Sequence, residues 1–445
     1  MVNANEFGFM PGNKSSDNRV AFQRLLDQEG SIRIEKPGIY DIDDTLYISS
    51  NTELIFGHKV YLRRTGQRGY VFLNKGAKTK EYDENITITG LNLMCNGFNS
   101  KEGDLVLGLR GQICFFYAKN IVIRDFKCKD LMEYSFCFQF CTFENLLMEN
   151  ILVYGLKDGI HLSKGDKFTI RHCIFKTFDD PIALNAHNYV SAAAELGDIT
   201  NGLIEDCYDL AQDKTVGYFC RLLAGSWCHW FENMEVQQGD AVIHNDRIYR
   251  VNMTHDKKTY ISKTPPSHEE GTVEHDGILW VMLQDREVVE SCAVKNVTFR
   301  NIFLQKERHT AFSFTYDKNE YSRSYYPNSK ATASENISFE NIYVQNKIED
   351  LIGIRTLANN IKLTNSYIGS SKINLRHVET PGIEYEDTFV TLSNVTLKGE
   401  DGQLLIKVAP GRKAYVNING TSFEDKIFKP STQGDAVILN NDLGL

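Results

Sequence analysis

The sequence predicts an all-β fold: a right-handed parallel β-helix with three strands per coil, an N-terminal capping helix and a small inserted β-module. Two observations predict it. A short phrase recurs along the chain, and apolar and polar residues alternate within each copy. Alternation with a period of two is typical of a β-strand with one buried face. A repeated unit that cannot bury its apolar face alone is typical of a stacked solenoid.

Each copy of the phrase contains two alternating runs separated by a polar kink, and a third strand-like run follows. The copies NIVIRDFKCKD and NLLMENILVYG show the pattern. Successive copies often begin 22 to 25 residues apart, and longer gaps indicate loops inserted in some coils. The copies begin at Asn85, Asn120, Asn145, Lys167, Asn201, Asn296, Asn336, Asn360 and Val390.

The N-terminal end of the solenoid needs a cover, because an open end exposes core side chains and strand edges. Asp17 and Asn18 precede a run that places Phe22, Leu25 and Leu26 on one helical face. Asp and Asn favour helix starts, and this spacing favours an amphipathic helix. The sequence therefore predicts a short helix over the first coil.

One long stretch breaks the repeat and contains short strands and turn pairs, which indicates a module inserted between coils. Three aromatic residues in it are expected to form the core of that module, and the alternative is that they bind sugar: Tyr249, Tyr260 and Trp280. The expected segments, β-helix, module and β-helix, are 1–235, 236–285 and 286–445.

The totals of the chain restrict its function. Its 445 residues carry a net charge of −9 without a long block of like charge, so we expect no nucleic-acid partner. No apolar run approaches the roughly 20 residues that span a bilayer, so no membrane insertion is expected. The start has no signal-peptide pattern, which leaves a cytoplasmic protein, or a periplasmic or extracellular one if a signal peptide was removed.

The cysteines and histidines suggest no prosthetic group. The ten cysteines form no CxxC pair and are expected to be reduced core residues. The histidines lack the spacing of metal ligands, so no metal and no cofactor is expected. The sequence leaves the oligomeric state open.

Two neighbouring copies of the phrase carry carboxylates at matching positions. Asp158 stands 13 residues after Asn145, and Asp180 stands 13 residues after Lys167, with Asp179 beside it. Because neighbouring parallel strands lie about 4.8 Å apart, we expect the three acids on one patch of the outer wall. Crowding raises at least one carboxyl pKa, and a raised acid beside an ionised carboxylate suits glycoside hydrolysis. The alternative is that the paired acids only end a turn.

The segment KDGIHLSKGDKFTIRHCIFKTFDDPIAL resembles the core of polygalacturonase-type enzymes, glycoside hydrolase family 28. That family has Asn-Thr-Asp-Gly followed by paired Asp residues on the next coil. Asp158 matches the first Asp and Asp179 and Asp180 match the pair, whereas Lys157 replaces the Thr. The resemblance implies an inverting hydrolase in which Asp179 is the general acid and the other two acids hold the water.

The stretch DDPIALNAHNY resembles the Asp-Asp-Gly-x-Asn-x-His-x-Tyr stretch of glycoside hydrolase family 110, which are β-helical, inverting α-galactosidases with inserted β-barrel modules. Pro181 stands where that family has Gly. The resemblance implies that Asn185, His187 and Tyr189 contact the substrate. Together the two resemblances imply a galactose- or uronate-type poly- or oligosaccharide as carbohydrate substrate.

Further candidates for substrate binding fall on the same predicted wall. His161 occupies an alternating position that should point outward beside the first acid, and Arg221 lies on a strand of the next coil. His309 precedes a strand one coil further, and Tyr316 and Lys318 follow that strand in an aromatic-rich loop. Tyr and Lys on such a loop suit stacking and hydrogen bonding to a sugar.

Two other functions remain open at this level. A polysaccharide lyase or uronate epimerase needs a base and a cation near the uronate, and Arg221 could serve as that cation. A non-catalytic, tailspike-like glycan-binding protein would use the same fold, and the inserted module keeps this alternative open.

Overall fold

The computed structural model describes residues 1–28, 30–98, 107–192, 194–213, 215–252, 258–318, 323–376, 383–399, 402–423 and 431–439. Short parallel strands from successive coils pair with one another and form three long stacks around a common interior. The predicted right-handed parallel β-helix with three strands per coil is therefore confirmed.

The three stacks contain nearly all the strands outside the inserted segment. The first contains Val2–Asn3, Gly30–Ile34, Thr52–Phe56, Asp83–Thr89, Gly165–Arg171, Lys413–Asn419 and Asp435–Leu439. The second contains Gly38–Ile42, Val60–Arg64, Asn92–Met94, Ile174–Thr177 and Ser422–Phe423. The long strands that turn a corner and belong to both are Ile199–Asp209, Val294–Leu304, Ser334–Val344, Ala358–Gly369 and Thr388–Leu397.

The third stack forms the wall that carries the candidate acids. Two strands reach it and continue into the other stacks, Gly111–Leu131 and Phe136–Gly155. The others are Leu46–Ile48, Phe72–Asn74, Ile160–Leu162, Ile182–Asn185, Cys220–Leu223, Arg308–Thr315, Ile348–Ile354, Lys372–Arg376, Leu404–Lys407 and Ser431–Gln433.

The recurring asparagines form a ladder at one corner of the cylinder. Asn85, Asn120 and Asn145 have φ angles of 59°, 54° and 59°, in the left-handed region that Asn tolerates better than most residues with a side chain. The amide of each donates to the Oδ1 of the asparagine one coil earlier, at 3.0 Å for Asn120 to Asn85 and for Asn145 to Asn120. The ladder fixes where each coil turns and so sets the register between coils.

The interior is filled by inward-pointing apolar side chains that stack on like neighbours. Phe115 packs on Phe140 with ring centroids 5.4 Å apart, and Phe299 packs on Phe339 at 5.1 Å. Such burial of apolar surface is the main stabilising contribution in a solenoid, because each coil covers the next. The cysteines are unpaired, and all but Cys228 are buried, as expected for reduced core residues.

A helix covers the first coils, as predicted. It spans Ser15–Leu26, which begins before the predicted start residues, Asp17 and Asn18. Asn18 is buried inside the helix instead of capping it. Short 3-10 helices span Ala4–Phe7 and Lys75–Lys78. The three predicted apolar residues are buried against the cylinder: Phe22, Leu25 and Leu26.

Between two coils the chain leaves the cylinder and forms a separate sheet, here called the inserted module, residues 228–284. Its five strands are Cys228–His229, Ala241–His244, Arg247–Val251, Thr272–His275 and Ile278–Gln284. Two antiparallel pairs accompany them, Gly225–Ser226 with Ser291–Cys292 and Met234–Val236 with Tyr260–Ser262.

The three aromatic residues singled out from the sequence belong to the core of the inserted module. Tyr249 and Trp280 are fully buried there, and Tyr260 packs against the same cluster. The predicted division of the chain at residues 236 and 285 stays a prediction. Among the described residues, no helix is long and apolar enough to cross a membrane.

The ladder makes a prediction about stability. Asn120→Ala removes two side-chain hydrogen bonds and places a Cβ-bearing residue with no local hydrogen bond in the left-handed region, so we expect a loss of about 1–2 kcal/mol. Asn120→Gly loses the same hydrogen bonds without the backbone strain and should cost less. Chemical unfolding of both variants separates the two contributions. Equal losses of unfolding free energy would show that backbone strain does not contribute.

Candidate active site

Four neighbouring strands of the third stack place the candidate residues on one wall. His161, Ala183, Arg221 and Ser313 are aligned in register across these strands. Asp158 and Asp180 each precede their strand by two residues, and the backbone N–H of Gly159 donates to the carbonyl of Asp180 at 3.0 Å. The predicted alignment of the two acids on adjacent coils is present in the structure.

A cavity of about 410 Å³ opens on this wall. Six of the residues proposed from the sequence line it: Asp158, Asp179, Asp180, Tyr189, Arg221 and His309. Other lining residues were not proposed as site residues: Phe136, Lys157, Gly217, Tyr218, Thr310 and Arg355.

The three acids of the cavity lie close together, and two of them share one ammonium group. One oxygen from each of Asp158, Asp179 and Asp180 lies within 4.8 Å of the others. The Lys157 ammonium contacts Asp179 Oδ2 directly and lies 3.6 Å from Asp158 Oδ1. Burial alone would lower the pKa of Lys157, but Asp158 and Asp179 raise it above its usual value. Lys157 therefore remains charged and contacts two of the three acids.

Asp158 is buried and held in its ionised form. Burial alone would raise its pKa, but Lys157, a hydrogen bond from His161 and the charge of Arg221 together lower the pKa well below the usual range. The hydrogen bond joins His161 Nδ1 and Asp158 Oδ2 at 3.0 Å. At neutral pH this carboxyl is a carboxylate with fixed orientation.

Asp180 has the opposite character. Burial raises its pKa first, and the negative charges of Asp179 and Asp158 raise it further; Arg221 and the backbone N–H of Tyr218 compensate only in part. The result is a pKa of about 8. A carboxyl that keeps its proton at neutral pH, beside carboxylates that do not, is the arrangement used for general acid catalysis.

A glycine from the next coil closes over the paired acids. The N–H of Tyr218 donates to Asp180 Oδ1 at 2.6 Å. Gly217 has a φ of +73°, and a Cβ at this position would lie 2.3 Å from Asp180 Oδ1 and 2.5 Å from Asp179 Oδ1. Both the backbone conformation and the close approach require glycine here.

Arg221 connects Asp180 to a further buried acid. Its Nε lies 3.7 Å from Asp180 Oδ2, and its Nη1 lies 3.7 Å from Asp317 Oδ1. Burial alone would lower the pKa of Arg221, but Asp317 and Asp180 raise it well above its usual value. Arg221 is therefore a permanent cation at the floor of the cavity.

His161 shares the outward register of Arg221, as the alternation predicts, but it is covered by the chain and not exposed. It lies beside Asp158 but is fully buried, stacked on the ring of Phe136 with centroids 4.0 Å apart. Asn185 is buried beneath it, with its Nδ2 3.3 Å from His161 Nε2. His187 is buried against Trp227. Burial and the charge of Arg250 hold the pKa of His187 well below its usual value. These three residues are buried and do not line the cavity.

Two candidates from the aromatic loop also lie outside the cavity. Tyr316 is buried and packs on Tyr325, with ring centroids 5.4 Å apart. Lys318 is exposed and its backbone bridges to Arg323. The rest of that loop, 319–322, is outside the described residues.

The described residues contain two groups of acids and thiols that are close enough to bind a cation. One consists of the cavity carboxylates, where Lys157 already provides positive charge. The other is Cys95, Cys128 and Asp130, in which the two sulfurs lie 3.6 Å apart. Neither group requires a cation to explain its contacts.

Gly217 gives a direct test of the close approach over the acids. Gly217→Ala should displace Asp180 or the 216–218 loop, and if these acids are catalytic a misplacement of about 1 Å lowers the reaction rate about 10²-fold. Gly271→Ala is the matched control, since Gly271 has a φ of +71° but a Cβ added there would meet no atom within 4 Å. If both variants keep full activity, Gly217 does not shape the site.

Comparisons with known proteins show the fold of the chain. No family model and no curated protein matches it. The chain is similar to the A-module of a mannuronan C-5 epimerase from Azotobacter vinelandii, with 11% identity, a TM-score of 0.56, and 98% of this chain and 99% of that chain covered. It is also similar to a family 28 exopolygalacturonase from Yersinia enterocolitica, at 12% identity and a TM-score of 0.50, covering 98% and 78%.

A third similar structure is the N-terminal fragment of gene product 12 of bacteriophage Phi29, at 11% identity and a TM-score of 0.50, covering 96% of this chain and 72% of that one. At these identities the similarity concerns the fold. The chain therefore shares the parallel β-helix of an epimerase, a polygalacturonase and a phage protein.

Proposed function

We propose that this protein is a glycoside hydrolase that cleaves a poly- or oligosaccharide by acid and base chemistry at Asp158, Asp179 and Asp180. One feature carries the proposal: Asp180, whose pKa burial and neighbouring acids raise to about 8, lies within 4.8 Å of two further acids in an open cavity. Protonation of the leaving oxygen by one carboxyl, with a second carboxylate on the attacking side, is the chemistry of this reaction.

The proposed roles differ from those that the family 28 resemblance implies. That resemblance makes Asp179 the general acid. Asp179 contacts the Lys157 ammonium directly, whereas burial and the two neighbouring acids favour a proton on Asp180. We therefore assign proton donation to Asp180 and assign the attacking side to Asp179, which is partly exposed in the cavity.

The spacing of the acids bears on the stereochemistry. An inverting pair usually lies about 6.5–9.5 Å apart to hold a water, and a retaining pair about 5–5.5 Å. The nearest oxygens of the three acids lie within 4.8 Å of one another, which is compatible with either separation between carboxyl groups, so the inversion implied by the resemblances stays a prediction. Proton NMR of the first product anomer decides between the two outcomes.

The charges around the cavity support an anionic sugar, within the predicted galactose- or uronate-type class. Lys157, Arg221 and Arg355 line it, together with His309. The Nε atoms of Arg221 and Arg355 are buried without a hydrogen-bond partner. Unpaired buried donors are costly, and a carboxylate or sulfate on the substrate would pair with them.

The same cations favour a second candidate function, uronate elimination or epimerisation. That chemistry needs a cation to neutralise the uronate carboxylate and a base at C5. Arg221 would supply the cation, and it lies beside Tyr189, with its guanidinium carbon 5.7 Å from the ring centroid. A non-catalytic, tailspike-like glycan-binding role is the remaining alternative, and the fold shared with the phage protein is compatible with it.

A substrate screen tests the proposal. We expect the wild type to release reducing sugar from a glycan in a panel of neutral and anionic oligosaccharides, and Asp180→Asn to release at least about 10²-fold less, because a general acid contributes about that much. An unsaturated, ultraviolet-absorbing product would identify a lyase instead. Binding without any product in the wild type would support the glycan-binding alternative and contradict hydrolysis.

The raised pKa of Asp180 also predicts how stability depends on pH. The pKa of this carboxyl rises from 3.8 to about 8 on folding, so between these values the folded state binds the proton more tightly than the unfolded state. Wild-type stability therefore falls as the pH rises through this range. Asp180→Asn removes this loss. At pH 8 the variant should be more stable by at least about 1.4 kcal/mol, the equivalent of one pKa unit.

The comparison of the two proteins by chemical unfolding at pH 4 and pH 8 provides its own control. Near pH 4 the folded-state carboxyl is protonated and the unfolded one, with a pKa of 3.8, is only about half ionised, so little of the loss has developed and the advantage of the variant should shrink. An advantage that is the same at both pH values would show that Asp180 titrates normally.

A further inference from the structure

We infer that the inserted module is a positioning element of the candidate active site, and that its Arg250 holds the segment which orients His161 against Asp158. This inference rests on the proposed function for its catalytic meaning, but its structural content can be measured without a substrate. It gives a role to a module whose sheet is separate from the wall that carries the acids.

Arg250 reaches out of the module into the wall of the β-helix. It lies on the strand Arg247–Val251, and its side chain is fully buried. Its Nη2 donates to the carbonyl of Asn188 and its Nη1 to the carbonyl of Tyr189, the latter at 3.4 Å. Its Nε donates to Gly239 within the module at 3.3 Å. One guanidinium therefore fastens two consecutive carbonyls of the cavity wall to the module.

The carbonyls that Arg250 holds belong to residues that contact the site. Tyr189 lines the cavity. The side-chain Nδ2 of Asn188 contacts His161 Nε2, which Asn185 also approaches at 3.3 Å. Two amide donors on Nε2 require that nitrogen to accept, so the proton of a neutral His161 is on Nδ1. His161 Nδ1–H then donates to Asp158 Oδ2 at 3.0 Å.

A second contact of the module runs toward Asp180. Asp240 of the module pairs with Arg323 Nε at 2.8 Å. The next residue, Ser324, donates its N–H to the carbonyl of Asp317 at 3.0 Å and accepts from the N–H of Asp317 through its hydroxyl at 2.7 Å. Asp317 in turn faces Arg221, the partner of Asp180. The module thus connects to both Asp158 and Asp180 through buried contacts.

Through these contacts the module fixes the positions of the groups that determine the protonation states of Asp158 and Asp180. If Arg250 is removed, the carbonyls of Asn188 and Tyr189 lose a buried charged donor, and the segment 186–192 can shift. Asn188 would then no longer fix the tautomer of His161, and Asp158 would lose an oriented donor. Displacements of about 1 Å in such supporting groups cost about 10²-fold in rate.

The test compares Arg250→Met with Arg247→Met, a control on the same strand whose side chain pairs with the exposed Glu269 at 3.0 Å. In the full-length protein we expect faster hydrogen exchange in 186–192 for Arg250→Met alone. We also expect the nitrogen-15 shifts of His161, assigned by His161→Gln, to leave the pattern of a single Nδ1–H tautomer. With an active glycan, kcat should fall about 10²-fold with a smaller change in KM.

Arg250→Lys keeps the charge but has one ammonium in place of the fork, so it should restore these measurements only in part. If Arg250→Met does not fold, Arg250→Lys decides by the same measurements. Exchange and His161 shifts identical to the Arg247→Met control would overturn the inference. Because neither measurement needs a substrate, failure of the proposed hydrolysis would not be confused with failure of this inference.

Discussion

The register between coils is the constraint on which the rest of the structure depends. The repeated corner residue has the left-handed backbone conformation, and asparagine side chains link several of these corners, as between Asn120 and Asn145; at the corner before Asp180, Lys167 keeps the conformation with a φ of 58°. A one-residue slip would turn every inward side chain outward, so the packed interior and the ladder enforce the same alignment. Because of it, positions at equal distances from two corners become neighbours in space, and Asp158 and Asp180 meet although 22 residues separate them.

The electrostatics of the site follow from that alignment. Three acids in one small space cannot all be ionised without nearby cations. One ammonium, that of Lys157, contacts Asp179 and approaches Asp158, so it faces two of the three acids. Asp180 is buried, its cation Arg221 is shared with Asp317, and it therefore retains the proton. Neighbouring acids with different protonation states are what acid and base catalysis needs, and here burial and cation placement produce them.

The fold and the central acids could be predicted from the sequence because both depend on periodicity. The repeated phrase predicted the strand stacks, and equal spacing from Asn145 and Lys167 predicted the neighbouring acids. The burial of individual residues on the wall could not be predicted in this way. His161 alternates like an outward residue, but the chain folds back over it through Asn188, and no periodicity records that fold-back.

The remaining site residues come from loops whose path the repeat does not describe. Gly217 and Tyr218 lie in a connection that is longer than in neighbouring coils, and Arg355 stands at the end of a strand further along the same stack. Lys157 was visible only as a departure from the family 28 pattern, and its ion pair with Asp179 gives that departure a physical role. The resemblance to family 110 pointed to His187, whose side chain the structure places in the interior.

The proposed chemistry depends on a proton that Asp180 carries at neutral pH. Infrared difference spectroscopy of the wild type against Asp180→Asn measures this directly, since a protonated carboxyl has its own carbonyl stretch. We expect a protonated-carboxyl band at pH 6 that is absent in the variant and titrates with a midpoint of about 8. A band that disappears near the ordinary value of 3.8 would contradict the account.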